Sequence, residues 1–333
     1  MKIYFRCRGG TSHGWGDVVR LSLIADKLYK KRKDVIFIYE GDNYIKNYLN
    51  NFRFKKIRLQ ENISIQEEIR IINKLKKASH IFIEMLEISL NLQKFYKTKT
   101  KKLIILDDIL DKKYYSDYTI SCQNHKNIKS KLIRSKNNKI FINSNFFPFS
   151  DEIKQQSKFK KNKIKLNSSL LIFLGGGDYS DAYIKIAKSL KDFDYEKITL
   201  VTSKSNFKNI RNKIKKIDKN IFVLDGVKKV GKLFNEHDTA IVAGGYTKYE
   251  AAVMGVPCMI ISTQWHQKHL SNNFCKDTGC DHVGHYSRIA IKDIGKSLNE
   301  LSKTRRRKKI ISNYKKIVSL KGLNKILSTV GIK

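Results

Sequence analysis

Ile241-Val-Ala-Gly-Gly-Tyr-Thr-Lys-Tyr-Glu-Ala-Ala-Val-Met-Gly-Val-Pro-Cys-Met-Ile-Ile261 reads as a strand, a glycine turn, a short helix and a second strand. From Thr239 to Ala243 the apolar run is continuous, as in a strand buried on both faces, and from about Tyr246 to Met254 apolar spacing changes to three or four. Gly255 stops the helix, and the next buried strand opens at Pro257. Without Cβ atoms, Gly244 and Gly245 let a ligand approach the backbone closely, and the helix that follows turns free N–H groups outward, which suits a phosphate. A tight βα turn that binds nothing is the alternative reading of the glycines alone. Glu250, in the first turns of that helix, could accept hydrogen bonds from ribose hydroxyls while Tyr246 and Thr247 lie near the phosphates.

Outward from this stretch, the alternation of strand and helix fills the chain. Its 333 residues exceed what one core usually serves, so two domains of roughly 150 residues are expected. The boundaries read as a first Rossmann-like domain over 1–149, a polar lysine-rich linker over 150–167, and a second, ligand-binding domain over 168–333 that includes the basic C-terminal helices. The first domain opens with a strand from Lys2 to Arg6, a loop with Gly9, Gly10, Gly14 and Gly16, and a helix from about Asp17 to Lys31. Strands at Val35 to Tyr39, Ile81 to Glu84, Lys102 to Leu106 and Ile140 to Asn143 follow, and Asp107-Asp108 stands at the ligand-binding end of the third of these. The second domain restarts with Ser169 to Leu174 and another phosphate-type turn, Gly175-Gly176-Gly177-Asp178. Gln264-Trp-His-Gln267 closes the series just past the strand that ends at Ser262.

Composition excludes several classes. Only 2 prolines and 18 glycines argue against disorder, and 41% hydrophobic residues suffice for real cores. No apolar run approaches the roughly 20 residues of a membrane span, and Met1-Lys-Ile-Tyr-Phe-Arg6 is a strand rather than a signal peptide. A cytoplasmic protein is expected, with reduced thiols at Cys7, Cys122, Cys258, Cys275 and Cys280. Cys275, Cys280, His282 and His285 lie close in sequence but fit no zinc spacing. The net charge of +38 (68 basic minus 30 acidic residues) is spread along the chain without the interleaved aromatics that stack bases, so no nucleic-acid partner is expected. It suits a genome of biased base composition, or attraction to anionic partners such as nucleotide sugars and an acidic membrane surface with which the protein would associate.

Gly9-Gly-Thr-Ser-His-Gly-Trp-Gly-Asp-Val-Val-Arg20 resembles the N-terminal motif of the PseG/SpsG family, UDP-sugar hydrolases of pseudaminic acid and surface polysaccharide biosynthesis. Asp107-Asp108, the segment from Asn145 to Pro148, Gly175 to Asp178, and Gly244 to Glu250 follow in that family's order over nearly the whole chain. The resemblance implies a GT-B type α/β fold, two facing Rossmann-like domains with an interdomain cleft. It also implies a UDP-sugar or similar donor held by the second domain, with Gly176, Gly177, Gly244, Gly245, Tyr246, Thr247, Glu250 and Gln267 in contact. Gly14 and Gly16 would meet the sugar from the first domain, and Arg20, one helical turn past Asp17, could orient that carboxylate, bind the sugar's substituents or simply sit solvated. No cofactor or metal is implied. Where the family's hydrolases carry a histidine thought to activate water, this chain has Asp17, and the usual Asn-Gln is His266-Gln267. Asp17 is therefore the expected base, with His13 in reserve and His266 beside the sugar or diphosphate. An aspartate can serve if a dry site raises its pKa; otherwise it merely complements the helix dipole. Hydrolysis, glycosyl transfer to a lipid- or glycan-linked acceptor, and non-catalytic nucleotide-sugar binding all stay open.

Overall fold

A computed structural model describes residues 1–10, 13–125, 137–158, 168–175, 177, 179–204, 206–227 and 229–332. Met1–Pro148 with Lys321–Lys333 makes one unit, and Phe149–Leu320 the other.

In the first unit the elements run β1 (Lys2–Gly9), α1 (Gly16–Lys30), β2 (Asp34–Gly41), α2 (Asn43–Leu49), β3 (Lys55–Leu59), α3 (Ile65–Asn73), β4 (Ala78–Glu84), α4 (Leu90–Thr98), β5 (Thr100–Leu106), β6 (Tyr118–Ser121) and β7 (Lys139–Ile142). Among the described residues these strands form one parallel sheet in the order β3-β2-β1-β4-β5-β6-β7. Parallel strands need helical crossovers that cover both faces, which is why β1, β2, β4 and β5 are buried along most of their length. Phe5 stacks between Phe37 and Phe82 on the two neighbouring strands (centroids 6.0 and 5.0 Å). On β1 sits one buried charge, Arg6, and the sheet tolerates it because Glu68 accepts from its Nε and Nη2 (2.9 and 2.7 Å) and Glu40 from Nη2 (3.1 Å).

The second unit runs α5 (Asp151–Ser157), β8 (Ser169–Phe173), α6 (Ser180–Ser189), β9 (Lys197–Thr202), α7 (Phe207–Lys215), β10 (Ile221–Asp225), α8 (Val230–Asn235), β11 (Thr239–Ala243), α9 (Thr247–Val253), β12 (Cys258–Ser262), α10 (Gln267–Thr278), β13 (Asp281–His285), α11 (Ile291–Ser302) and α12 (Thr304–Ile317). Its strands, among the described residues, form a second parallel sheet, β10-β9-β8-β11-β12-β13. In each sheet the strand order reverses beside the first strand, between β1 and β4 and between β8 and β11. Crossovers diverge there and leave a crevice at the carboxyl ends of the strands.

Two parts of the expected domain division differ in the structure. The segment 150–167, expected as a linker, begins with α5, which belongs to the second unit: Glu152 accepts from the Gly231 and Lys232 amides at the start of α8 (2.9 and 2.8 Å). Residues 159–167 of that segment lie outside the described residues. The last helix, α13 (Gly322–Thr329), expected with the second domain, belongs to the first unit, where Leu323, Ile326 and Leu327 are buried. Periodicity had no way to choose its host, because an amphipathic helix fits either core.

Candidate functional site

In the second unit, β11 delivers the chain to Gly244 at the switch point, bonded to β12 through the Gly244 amide and the Ile261 carbonyl (3.0 Å). A Cβ on Gly244 would lie 2.5 Å from Ser271 Oγ and 3.1 Å from Gln267 Oε1 and Ser262 Oγ, so a larger residue would have to displace these side chains. Gln267, the first residue of α10, is held there by the Thr263 amide and hydroxyl, both donating to Oε1 (3.0 and 3.1 Å). Thus the structure brings Gly244, Gly245 and Gln267 together. His266 precedes α10 as its cap and is exposed. Tyr246 caps α9 and is half-buried, and Thr247 begins the helix. The Gly245 N–H donates to no acceptor among the described residues. Lys248, fully buried, donates its amine to the Gly244 carbonyl from within the unit.

The half-buried Glu250 carboxyl makes no hydrogen bond or ion pair among the described residues. Burial pushes it up to about 7, and the nearby charge of Glu152 adds to the rise. After β8, Gly175 takes a left-handed φ of 95° and Gly177 packs against the Tyr179 ring, which a Cβ would approach to 2.5 Å. Gly176 and Asp178 lie outside the described residues. Tyr179 bonds to the Thr263 side chain and meets Tyr286 edge-on (5.1 Å). Beyond it, the exposed Trp265 stacks on His285 (3.9 Å).

In the first unit the glycine loop closes on itself, with the Gly10 and Gly14 amides donating to each other's carbonyls (2.9 and 2.8 Å). His13 is exposed next to Gly14, whose φ is 80°, and Gly16 opens α1. Thr11 and Ser12 lie outside the described residues. One turn along α1, Arg20 is buried rather than solvated: Nε donates to Glu84 Oε1 (2.6 Å) at the end of β4, and Nη1 to Asp108 Oδ2 (3.0 Å) beyond β5. This guanidinium is engaged with protein carboxyls in the cluster that also holds Asp17.

Asp17 hydrogen-bonds Glu84 in the same cluster, and burial pushes its carboxyl up to about 7, with Asp108 and Asp107 adding and Arg20 opposing. Burial also raises Glu84 well above the ordinary carboxylate range. Burial acts on Asp108 too, but Arg20, the Cys122 amide (2.8 Å) and Gln123 (3.3 Å) outweigh it and keep that group low. Three carboxyls share one guanidinium, which is why a proton is retained near neutrality.

No family model matches the chain. It is 26% identical over 279 residues to the spore coat polysaccharide biosynthesis protein SpsG of Bacillus subtilis, covering 80% of this chain and 78% of that protein. An uncharacterised protein of Methanocaldococcus jannaschii is 23% identical over 299 residues, 85% of this chain; the match spans only 60% of that relative's length. Among solved structures, MurG of Acinetobacter baumannii superposes with a TM-score of 0.67 at 10% identity over 99% of both chains. The fold is GT-B. Another similar structure, HepE of Anabaena in complex with UDP and glucose, has a TM-score of 0.61 at 11% identity, covering 99% of this chain and 98% of that one.

Four side chains in this GT-B chain went unremarked as functional candidates in its sequence: Glu84, Lys248, Tyr179 and Ser271. Glu84 ends a buried strand on a carboxylate, and Lys248 interrupts the apolar spacing of the α9 helix, so both left a legible signal. Tyr179 and Ser271 left none, because their part depends on which loops the sheet order makes neighbours. Cys280, considered for zinc, instead faces Cys258 (4.0 Å) and the Tyr314 hydroxyl (3.0 Å), while His282 bonds Ser262 (2.8 Å) and Asn272 (2.7 Å).

Proposed function

We propose that the chain is a nucleotide-sugar-processing enzyme of glycan biosynthesis that hydrolyses a UDP-linked aminodeoxy sugar at its anomeric carbon. The observation that carries this reading is the Gly244–Gly245 turn at the β11 switch point, with an amide and, on the helix that follows, a Glu250 carboxyl that meet no partner among the described residues. In the proposal the turn receives the diphosphate, Glu250 accepts from the ribose hydroxyls, and Gln267 contacts the diphosphate or sugar. Similarity to SpsG and to a UDP-bound structure supports the choice of ligand. Asp17 takes the proton of the attacking water while the bond from the anomeric carbon to the diphosphate oxygen breaks, and UDP leaves with the electron pair. A base with a pKa of about 7 suits that step, since it is ionised at working pH yet basic enough to accept a proton. Glu84 and Arg20 hold Asp17 in place, and His13 and His266 stand as secondary polar groups.

A second reading, glycosyl transfer to a hydroxyl acceptor, uses the same donor seat and the same base; similarity to HepE, whose structure holds UDP together with glucose, supports it. Incubation of the purified protein with UDP-sugars and no acceptor separates the two. Hydrolysis predicts UDP release at a catalytic rate, rising with pH through about 7 as Asp17 ionises. Asp17→Asn should lower the rate by roughly 100- to 10,000-fold and remove that acid limb. Release of UDP only when an acceptor is added would replace the first reading with the second.

A further inference from the structure

The carbonyl of the Gly244–Gly245 peptide accepts from one buried side chain, Lys248. In a trans peptide the carbonyl and the following N–H point opposite ways, and the described residues hold no cis bond. Lys248 draws the Gly244 carbonyl toward the interior, so the Gly245 N–H must face the other side, where Gly245 is half-buried and its amide meets no protein acceptor among the described residues. Two successive glycines tolerate either orientation of the peptide between them, so the direction does not follow from the turn itself.

The Lys248 amine lies over the Tyr249 and Phe274 rings (5.2 and 5.9 Å to the centroids), contacts that favour a cation without fixing which carbonyl it meets. Burial disfavours an ammonium there, and so does the first turn of a helix, where positive charge meets the positive end of the macrodipole.

We propose that Lys248 is a positioning residue for phosphate recognition, pinning the Gly244 carbonyl inward so that the Gly245 amide is preset to donate to a nucleoside diphosphate. This rests on the nucleotide-binding reading above and adds the residue that orients its phosphate donor. Lys248 touches no ligand in this scheme.

The test compares UDP and uridine by titration calorimetry on the full chain, wild type against Lys248→Met. The expected result is a UDP affinity at least tenfold weaker, with uridine affinity within twofold of wild type, because only the phosphates use the preset amide. Lys248→Gln, which keeps a donor for the Gly244 carbonyl, should stay within about threefold of wild type for UDP. Equal losses for UDP and uridine, unchanged UDP affinity in Lys248→Met, or a Lys248→Gln loss as large as that of Lys248→Met would each overturn the proposal. Should Lys248→Met fail to fold, Lys248→Gln alone decides, since a tenfold UDP-specific loss in it overturns the pinning role. A wild-type protein that binds no UDP would instead remove the nucleotide reading itself.

Discussion

Glu250 shows what a carboxyl held away from solvent beside a like charge costs the folded protein. Its carboxyl ordinarily titrates near 4.5, and burial with Glu152 nearby moves it to about 7 in the folded chain. A raised carboxyl binds more protons folded than unfolded, so the contribution of Glu250 to stability is fully present below pH 4.5 and is lost as pH climbs through about 7. Replacing it with Gln should therefore raise the melting temperature at pH 8 and change it little at pH 4. An effect on the order of 1 kcal/mol, or ~2–4 °C, is expected after allowing for partial exposure. Equal shifts at both pH values would mean that packing, rather than ionisation, distinguishes the variant. Asp17 titrates over the same range, but it is present in both proteins and cancels in the comparison.

At the scale of elements, the β11–α9–β12 unit depends on close approach at its turn. Gly244→Ala would place a methyl 2.5 Å from Ser271 Oγ and 3.1 Å from Gln267 Oε1, so the Ser271 and Gln267 side chains must give way. About 1–3 kcal/mol of stability should be lost, and UDP affinity should fall along with it, as read by melting and calorimetry. Undiminished UDP affinity would detach Gly244 from the ligand seat. This element was legible to within a residue at either end, because its strands are buried on both faces and its helix is bounded by glycines. β3 and β13 were not legible. Both are edge strands with one paired side, so Lys55-Lys-Ile-Arg-Leu59 and Asp281-His-Val-Gly-His285 carry charged or polar residues where a central strand carries Ile and Val. β6, Tyr118–Ser121, combines four residues with a Tyr-Thr-Ile-Ser run that holds one aliphatic side chain, too little for periodicity to reveal.

At the scale of the whole molecule, the first unit is completed by a chain end that returns to it. Gly322 sits so close to the Phe147 carbonyl that a Cβ would be 2.0 Å from its oxygen, and the Val330 carbonyl accepts from Lys102 Nζ (3.1 Å) and lies 3.3 Å from His80 Nε2. Ile326, fully buried on α13, anchors this return. Ile326→Ala should cost about 2–5 kcal/mol and speed amide exchange in β4 and β5, leaving β8 and β11 protected. Faster exchange in the second unit's strands would instead assign the helix to that unit. None of the described helices is long and apolar enough to cross a membrane. By itself the sequence determined the α/β alternation, the two halves and the glycine turns, because burial on both faces writes unbroken apolar runs and ligand-edge turns demand residues without a Cβ. Tertiary structure alone decided that Arg20 joins Glu84 and Asp108, that Lys248 pins the Gly244 carbonyl, and that α13 packs with the first unit. Those contacts join residues far apart in the chain, or set a direction in space, and local pattern carries neither.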